Sequence, residues 1–280
     1  MPIENDPGRP QTAAAAHVAI LMCTKDGAAY LAAQLKSIAD QTHTNWSLIV
    51  SDDGSTDSTR AILKVFADPS TQRINVRDGP RLGACANFLS LATDSTIDAD
   101  YFAFSDQDDI WYGDKLDRAL TWLAGVPQEV PAIYCGRTEL VSDDGRSYGF
   151  SPLFSRPIAF GNAIVQSLGG GNTMVFNKAA KRLLEATGRL DVVLHDRWMY
   201  QLVSAVGGAM RYDPLPMLKY RQHGGNLIGS NIGWRARLVR IGMIFKGRFS
   251  DWNNKNIAAL ERIPAALIKP ENRMTLQLFV

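Results

Sequence analysis

The chain has 280 residues, 46% of them apolar and 21% charged, with a formal net charge of +2 and a pI near 8.4. That length and apolar content suffice for a full hydrophobic core in one large domain or two intimate ones. The basic excess is too slight for a surface that tracks phosphates, which excludes nucleic acid as a partner. Cys23, Cys85 and Cys135 are odd in number and scattered, as in a chain kept reduced. Residues 1–16 are polar, then alanine-rich, and read as a flexible N-terminus without the charged start and apolar run of a secretion signal. No run approaches the roughly 20 apolar residues that cross a bilayer, so a cytoplasmic protein is expected.

Through the first hundred residues, short β-branched or aromatic runs alternate with helical patterns, the mark of βαβ units and a mostly parallel sheet. Residues 18–23 read as the first strand. Leu31, Leu35 and Ile38 then share one helical face, and 46–50 form a second strand. Ser55 or Thr56 is placed to cap a helix whose Ile62, Leu63 and Phe66 face inward, and 74–76 follow as a short strand. Asn87, Phe88 and Leu91 fall on another helix, 101–105 on a fourth strand, and 114–123 on a helix with Leu116, Leu120 and Leu123 inside. This is a nucleotide-binding type of α/β half, spanning about 17–126.

From 127 to 230 the pattern is more mixed, with 132–135 as a strand, a loop-rich stretch to Pro157, then helices and short strands. Such a half supplies the second substrate's pocket. The tail, 231–280, begins differently. Between 231 and 250 there are five Arg or Lys and no acidic residue, while Trp234, Leu238, Ile241, Phe245 and Phe249 recur at helical spacing. A basic amphipathic helix of this kind can lie on an anionic leaflet, here the cytoplasmic face of the inner membrane. Packing on the main domain and self-association into a homo-oligomer are the other uses of the same pattern.

In open α/β sheets, ligands bind outside the carboxyl ends of the strands. Thr24, Lys25 and Asp26 follow the first strand, and Asp52, Asp53 and Gly54 the second. Asp106, Gln107, Asp108 and Asp109 follow the fourth. The run 53–57, Asp-Gly-Ser-Thr-Asp, would in isolation be a turn and a helix cap. After an apolar strand it becomes a nucleotide loop in which Asp52 can accept a hydrogen bond from a pyrimidine N3–H. In 105–109, Ser-Asp-Gln-Asp-Asp, three carboxylates within four residues repel one another unless solvent or a cation offsets them. Mg2+ or Mn2+, hard cations with oxygen ligands, commonly bridge carboxylates to a substrate diphosphate, and Asp108 is the first choice of ligand.

Asp-Asp-Gly-Ser-Thr-Asp at 52–57, followed by a strand ending in Asp-x-Asp, resembles the inverting family-two glycosyltransferases with a GT-A fold. Phe-Ser-Asp-Gln-Asp-Asp-Ile-Trp at 104–111 and Tyr-Arg-Gln-His-Gly-Gly-Asn at 220–226 are similar to the bacterial rhamnosyltransferase branch of that family. The resemblance covers roughly 17–230. It implies that Thr24, Asp26, Asp52, Asp53 and Gln107 surround the nucleotide, with Asp106 near its ribose and Arg81 near base or diphosphate. Asp108 and His223 would hold the metal. A GT-A, Rossmann-like sheet with a C-terminal helical extension follows from it, as do dTDP-rhamnose as donor and a surface-polysaccharide or lipid-linked glycan as acceptor.

Inverting transfer needs a carboxylate to take the acceptor hydroxyl's proton, and the resemblance puts Asp196 at that position. His195 stands where relatives carry an acid, and it either orients Asp196 or caps the helix. Gly171, Asn172 and Trp198 are expected near the acceptor; the glycines at 169–171 would allow close approach or form a plain turn. Two other readings compete. A sugar-phosphate nucleotidyltransferase would open with a glycine-rich phosphate loop where this chain has Thr-Lys-Asp. A non-catalytic nucleotide-sugar-binding scaffold would have no use for Asp106, Asp108, Asp196 and His223 together.

Overall fold

A computed structural model describes residues 15–67, 73–222 and 248–279. In β1 (Val18–Thr24) and β2 (Trp46–Asp52) every residue is buried, as in parallel strands covered by helices on both faces. Together with β3 (Arg73–Asp78) and β4 (Tyr101–Ser105) they lie parallel in the order β3-β2-β1-β4. The helices α1 (Leu31–Ala39), α2 (Thr59–Ala67) and α3 (Ala84–Ala92) connect them. Chain order reverses between β1 and β4, which opens a crevice at their carboxyl ends. Register sets Thr24 opposite Asp52 and Met22 opposite Ser105, so the acidic loops emerge on one edge.

The rest of the chain extends the same sheet. In order come β5 (Ile110–Trp111), α4 (Lys115–Leu123), β6 (Ala132–Val141), β7 (Ser147–Phe150) and α5 (Phe160–Val165). They are followed by β8 (Val175–Asn177), α6 (Lys178–Thr187), α7 (His195–Ala205) and β9 (Ala209–Arg221). β8 pairs antiparallel with β4 and β6, β9 runs parallel to β6, and β5 pairs antiparallel with β9. The two halves therefore share one mixed α/β sheet. β6 continues past Cys135 to Val141 and turns into β7, so part of the stretch read as loop is a hairpin. β9 carries Pro214 and Pro216 where its register against β6 slips between Gly136 and Arg137, the irregular position at which a strand tolerates proline.

Apolar side chains fill both faces of the sheet. Leu31, Leu35, Leu63, Leu116 and Leu120 pack on one side. Phe88, Phe104, Leu184, Trp198 and Leu202 pack on the other. Every residue of α7 from Arg197 to Ala205 is buried, because the C-terminal helices Arg248–Glu261 and Pro270–Phe279 cover its outer side. Arg197 donates to the carbonyl of Ile164 and to Asn253 Oδ1, both at 2.6 Å, and Asn256 donates to Gln201 at 2.8 Å. Leu260, 0% exposed, and Leu276 join the same core, so 248–279 belongs to the body of the fold. The basic amphipathic stretch lies, up to 247, outside the described residues. No described helix is long and apolar enough to cross a membrane. Leu260→Ala is expected to destabilise the protein by about 2–4 kcal/mol, read as a lowered denaturation midpoint in urea; an unchanged midpoint would mean the C-terminal helices do not support the core.

Candidate active site

The loops after β1 and β2 are tied to each other by carboxylates. Asp52, 1% exposed, accepts from Thr24 Oγ1 at 2.8 Å, Ser55 Oγ at 2.5 Å, Ser55 N at 3.1 Å and Arg60 Nε at 2.8 Å. All four acceptor positions of a carboxylate are thereby used, which leaves none for a pyrimidine N3–H in this arrangement. Burial alone would raise the Asp52 pKa, but the hydrogen bonds from Ser55, Arg60 and Thr24 outweigh it and hold the group near 2. Because the folded value lies below the ordinary 3.8, this contribution is present above that pH and is lost as pH falls from 3.8 towards 2. It is worth roughly 2 kcal/mol. The melting-temperature gap between wild type and Asp52→Asn should therefore narrow between pH 5 and pH 2, and a constant gap would count against the hydrogen-bonded carboxylate.

Asp26 adopts φ 46°, an uncommon conformation for a residue with a side chain, and its Oδ1 accepts from Thr56 N at 2.7 Å. Asp57 accepts from Thr59 N and Ala28 N at 2.9 and 3.0 Å. Asp57 thus caps the start of α2, the role expected of Ser55 or Thr56; those two are engaged by Asp52 and Asp26. Asp53 receives Arg81 N at 2.5 Å and Gly83 N at 2.9 Å. Arg81 itself sits at φ 58° with its exposed side chain laid over Gly54. Gln107 does not face outward: its amide grips Lys25 N at 2.8 Å and Lys25 O at 2.9 Å, fixing the acidic loop to the β1 loop.

Asp106, Asp108 and Asp109 follow β4, and each brings a carboxylate oxygen within 4.8 Å of the other two. Burial, then Asp108 and Asp196, push the Asp106 carboxyl up to about 7. Burial, then Asp106 and Asp108, push Asp109 well above the usual range. Asp109 Oδ1 is buried without a hydrogen-bond partner. An all-oxygen set with mutual repulsion and an unmatched buried oxygen suits a hard divalent cation. Arg221 Nε lies 3.4 Å from the Asp108 carbonyl. His223 lies outside the described residues.

On the opposite wall, Asp196 stands in the first turn of α7. Its Oδ2 accepts from Gly171 N at 3.2 Å and its Oδ1 from Arg197 N at 2.6 Å. The residue after Gly171, Asn172, donates to Asp109 Oδ2, so a single turn joins the expected base to the acidic loop, and the Asp196 charge helps to raise the Asp106 carboxyl. His195 neither caps the helix nor bonds to Asp196. Leu194 is the N-cap, without a side-chain bond. The imidazole stacks on Phe88 at 4.0 Å and meets Phe104 edge-on at 4.9 Å. Burial lowers its pKa to about 4, so the ring is neutral. A Cβ on Gly171 would collide with that ring, which is why the position needs glycine.

Two of the residues expected near the acceptor prove to be interior. Trp198 is 0% exposed in the core and has no face to offer a ligand. Asn172 is 4% exposed and donates to Asp109 Oδ2 at 2.7 Å. Sequence reading missed Arg60, Lys115 and Arg221. Lys115, at the start of α4, is 0% exposed, with Nζ 2.5 Å from the Asn172 carbonyl and 3.3 Å above the Trp111 ring. Its neighbours Leu116, Ala119 and Leu120 were the available sign that this face is inward.

The fold is shared with the mannosyltransferase PcManGT from Pyrobaculum calidifontis, solved with GDP-Man and Mn2+, at 17% identity and a TM-score of 0.61 over 93% of this chain and 68% of that one. It is the GT-A fold of glycosyltransferases. Residues 19–184 match the Glycosyl transferase family 2 model, and the chain belongs to that family. It is 32% identical to the dTDP-rhamnosyl transferase RfbG of Shigella flexneri, over 80% of this chain and 78% of that protein. It is also 32% identical to the Escherichia coli enzyme WfgD, a UDP-Glc:alpha-D-GlcNAc-diphosphoundecaprenol beta-1,3-glucosyltransferase, over 38% of this chain and 40% of that one. The chain is therefore a glycosyltransferase, and the nucleotidyltransferase reading is set aside.

Proposed function

We propose that the protein is an inverting, divalent-cation-dependent rhamnosyltransferase that moves L-rhamnose from dTDP-rhamnose to a hydroxyl of a bacterial surface-polysaccharide intermediate, carried on a lipid. The donor rests on one observation, the similarity to RfbG along most of both chains. The lipid-linked acceptor draws on the diphosphoundecaprenol named for WfgD.

Asp106, Asp108 and Asp109 would hold Mg2+ or Mn2+, with His223 as a further ligand. When bound, the cation offsets the charge that grows on the departing diphosphate. Asp196 takes the proton of the acceptor hydroxyl as its oxygen forms a bond to the anomeric carbon, and the electrons of the breaking carbon–oxygen bond leave with dTDP. Asp26 and Asp53 with the Arg81 loop line the nucleotide side, and Asp52 with Thr24 keeps those loops in place.

Calorimetric titration of the whole protein with dTDP-rhamnose, UDP-glucose and GDP-mannose, each with Mn2+, tests the donor. Tightest binding of dTDP-rhamnose is expected. A tenfold preference for either other donor would overturn the rhamnose assignment and leave the family untouched.

A further inference from the structure

We propose that Asn172 and Lys115 are positioning residues that set Asp196 relative to the acidic loop, making one rigid unit of the two walls of the crevice. The inference rests on the base and donor-holding roles proposed above.

The unit is built around the single turn Gly171–Thr173, which is anchored on three sides. Its Asn172 side chain donates to Asp109 Oδ2 at 2.7 Å, next to Asp108 in the chain. Its Asn172 carbonyl receives Lys115 Nζ at 2.5 Å. Directly beyond the turn, the Met174 carbonyl receives Phe104 N at 3.2 Å, two residues before Asp106. The fourth side is Gly171 N, which donates to Asp196 Oδ2 at 3.2 Å. A path of hydrogen bonds therefore runs from Asp109 through one turn to the carboxylate at the start of α7.

The cost of this arrangement points away from simple packing. Lys115 is wholly buried, with the Asn172 carbonyl and the face of Trp111 against its amine and the charges of Asp109 and Asp106 close enough to act on it, and burying such a polar group costs free energy unless its surroundings compensate. An apolar side chain would fill the same space without that cost. What an apolar residue could not do is fix the Asn172 carbonyl, and through the turn the Gly171 N–H that aims Asp196. A displacement of about 1 Å at a reacting group can lower a rate by about 100-fold.

The test compares wild type with Asn172→Ala, Lys115→Met, Asp196→Asn and Asn172→Ala/Asp196→Asn. The probe is release of the nucleoside diphosphate with water as acceptor, using whichever of dTDP-rhamnose, UDP-glucose and GDP-mannose binds wild type most tightly with Mn2+. For Asn172→Ala and Lys115→Met, kcat should fall by about 30-fold or more, the loss expected of a displaced base, with donor Kd within about threefold of wild type. In the Asp196→Asn background, Asn172→Ala should add less than about threefold, because residues acting as a unit are not additive. Independent, multiplying losses would overturn the proposal, as would a folded Asn172→Ala with wild-type kcat, or a donor Kd that weakens in parallel with kcat. If Asn172→Ala does not fold, Lys115→Gln, which retains a donor for the Asn172 carbonyl, should keep most of the turnover that Lys115→Met loses; equal loss in both overturns the proposal. An Asp196→Asn variant of full activity would overturn both this inference and the base role, whereas an inactive Asp196→Asn beside an active Asn172→Ala would overturn the inference alone.

Discussion

Asp196→Asn is expected to lower turnover by roughly 100- to 10,000-fold, the range for losing a general base, while donor affinity with Mn2+ stays within about threefold of wild type. The amide keeps the size of the carboxylate and one oxygen, which can accept from Arg197 N or from Gly171 N but not from both, since these bond to separate oxygens; the start of α7 should keep its shape with one of the two bonds lost. What it loses is the capacity to take a proton. The informative measurement is kcat beside donor Kd: a loss confined to kcat marks a group acting in the transition state, and a parallel loss of affinity would mean that Asp196 holds the donor instead. Unchanged turnover would show that Asp196 is not the base and that another group takes the acceptor's proton.

Asp108→Ala is expected to act on the other wall, abolishing the Mn2+-dependence of donor binding and lowering kcat/KM by about 100-fold or more, as loss of charge stabilisation at a leaving group does. Removing one of three mutually repelling carboxylates should also relieve the pressure that raises Asp106 and Asp109. The apo variant should therefore melt no lower than wild type. A variant that folds, binds donor equally with and without EDTA, and turns over normally would show that the cluster holds no cation needed for the reaction.

The parallel half was legible because β1, β2 and most of β4 are buried. Continuous apolar runs such as Val18–Thr24 stand out against their loops, and the polar residues at their ends mark the crevice edge. β7 and β9 were harder to read. β7 is largely exposed, and β9 carries two prolines in a slipped register, so neither gives a clean period. Asp108 drew attention by the charge crowding of its loop together with its place at a strand end.

The interior of the site was less visible, for reasons specific to each residue. An ammonium at a helix start reads as solvated, yet Lys115 is enclosed by Trp111 and the Gly171–Thr173 turn. Trp198, two residues past Asp196, reads as an acceptor contact, yet it is 0% exposed in a core cluster assembled from elements remote in sequence, which no local pattern reports. His195 looks like a partner for Asp196, but the aromatic rings it packs between, Phe88 and Phe104, come from α3 and β4. In each case a long-range contact decides the role.

The proposed mechanism depends on a cation-assisted grip on the nucleotide sugar at the ends of β1, β2 and β4. Its sharpest test is the melting temperature of the wild-type protein with dTDP-rhamnose, with Mn2+, with both, and with both plus EDTA. Ligand that binds only the native state raises stability in proportion to the logarithm of its concentration over Kd. A large upward shift is expected with both together, a small one with either alone, and reversal by EDTA. An equal shift with dTDP-rhamnose in the presence and absence of Mn2+ would contradict a grip that needs the cation.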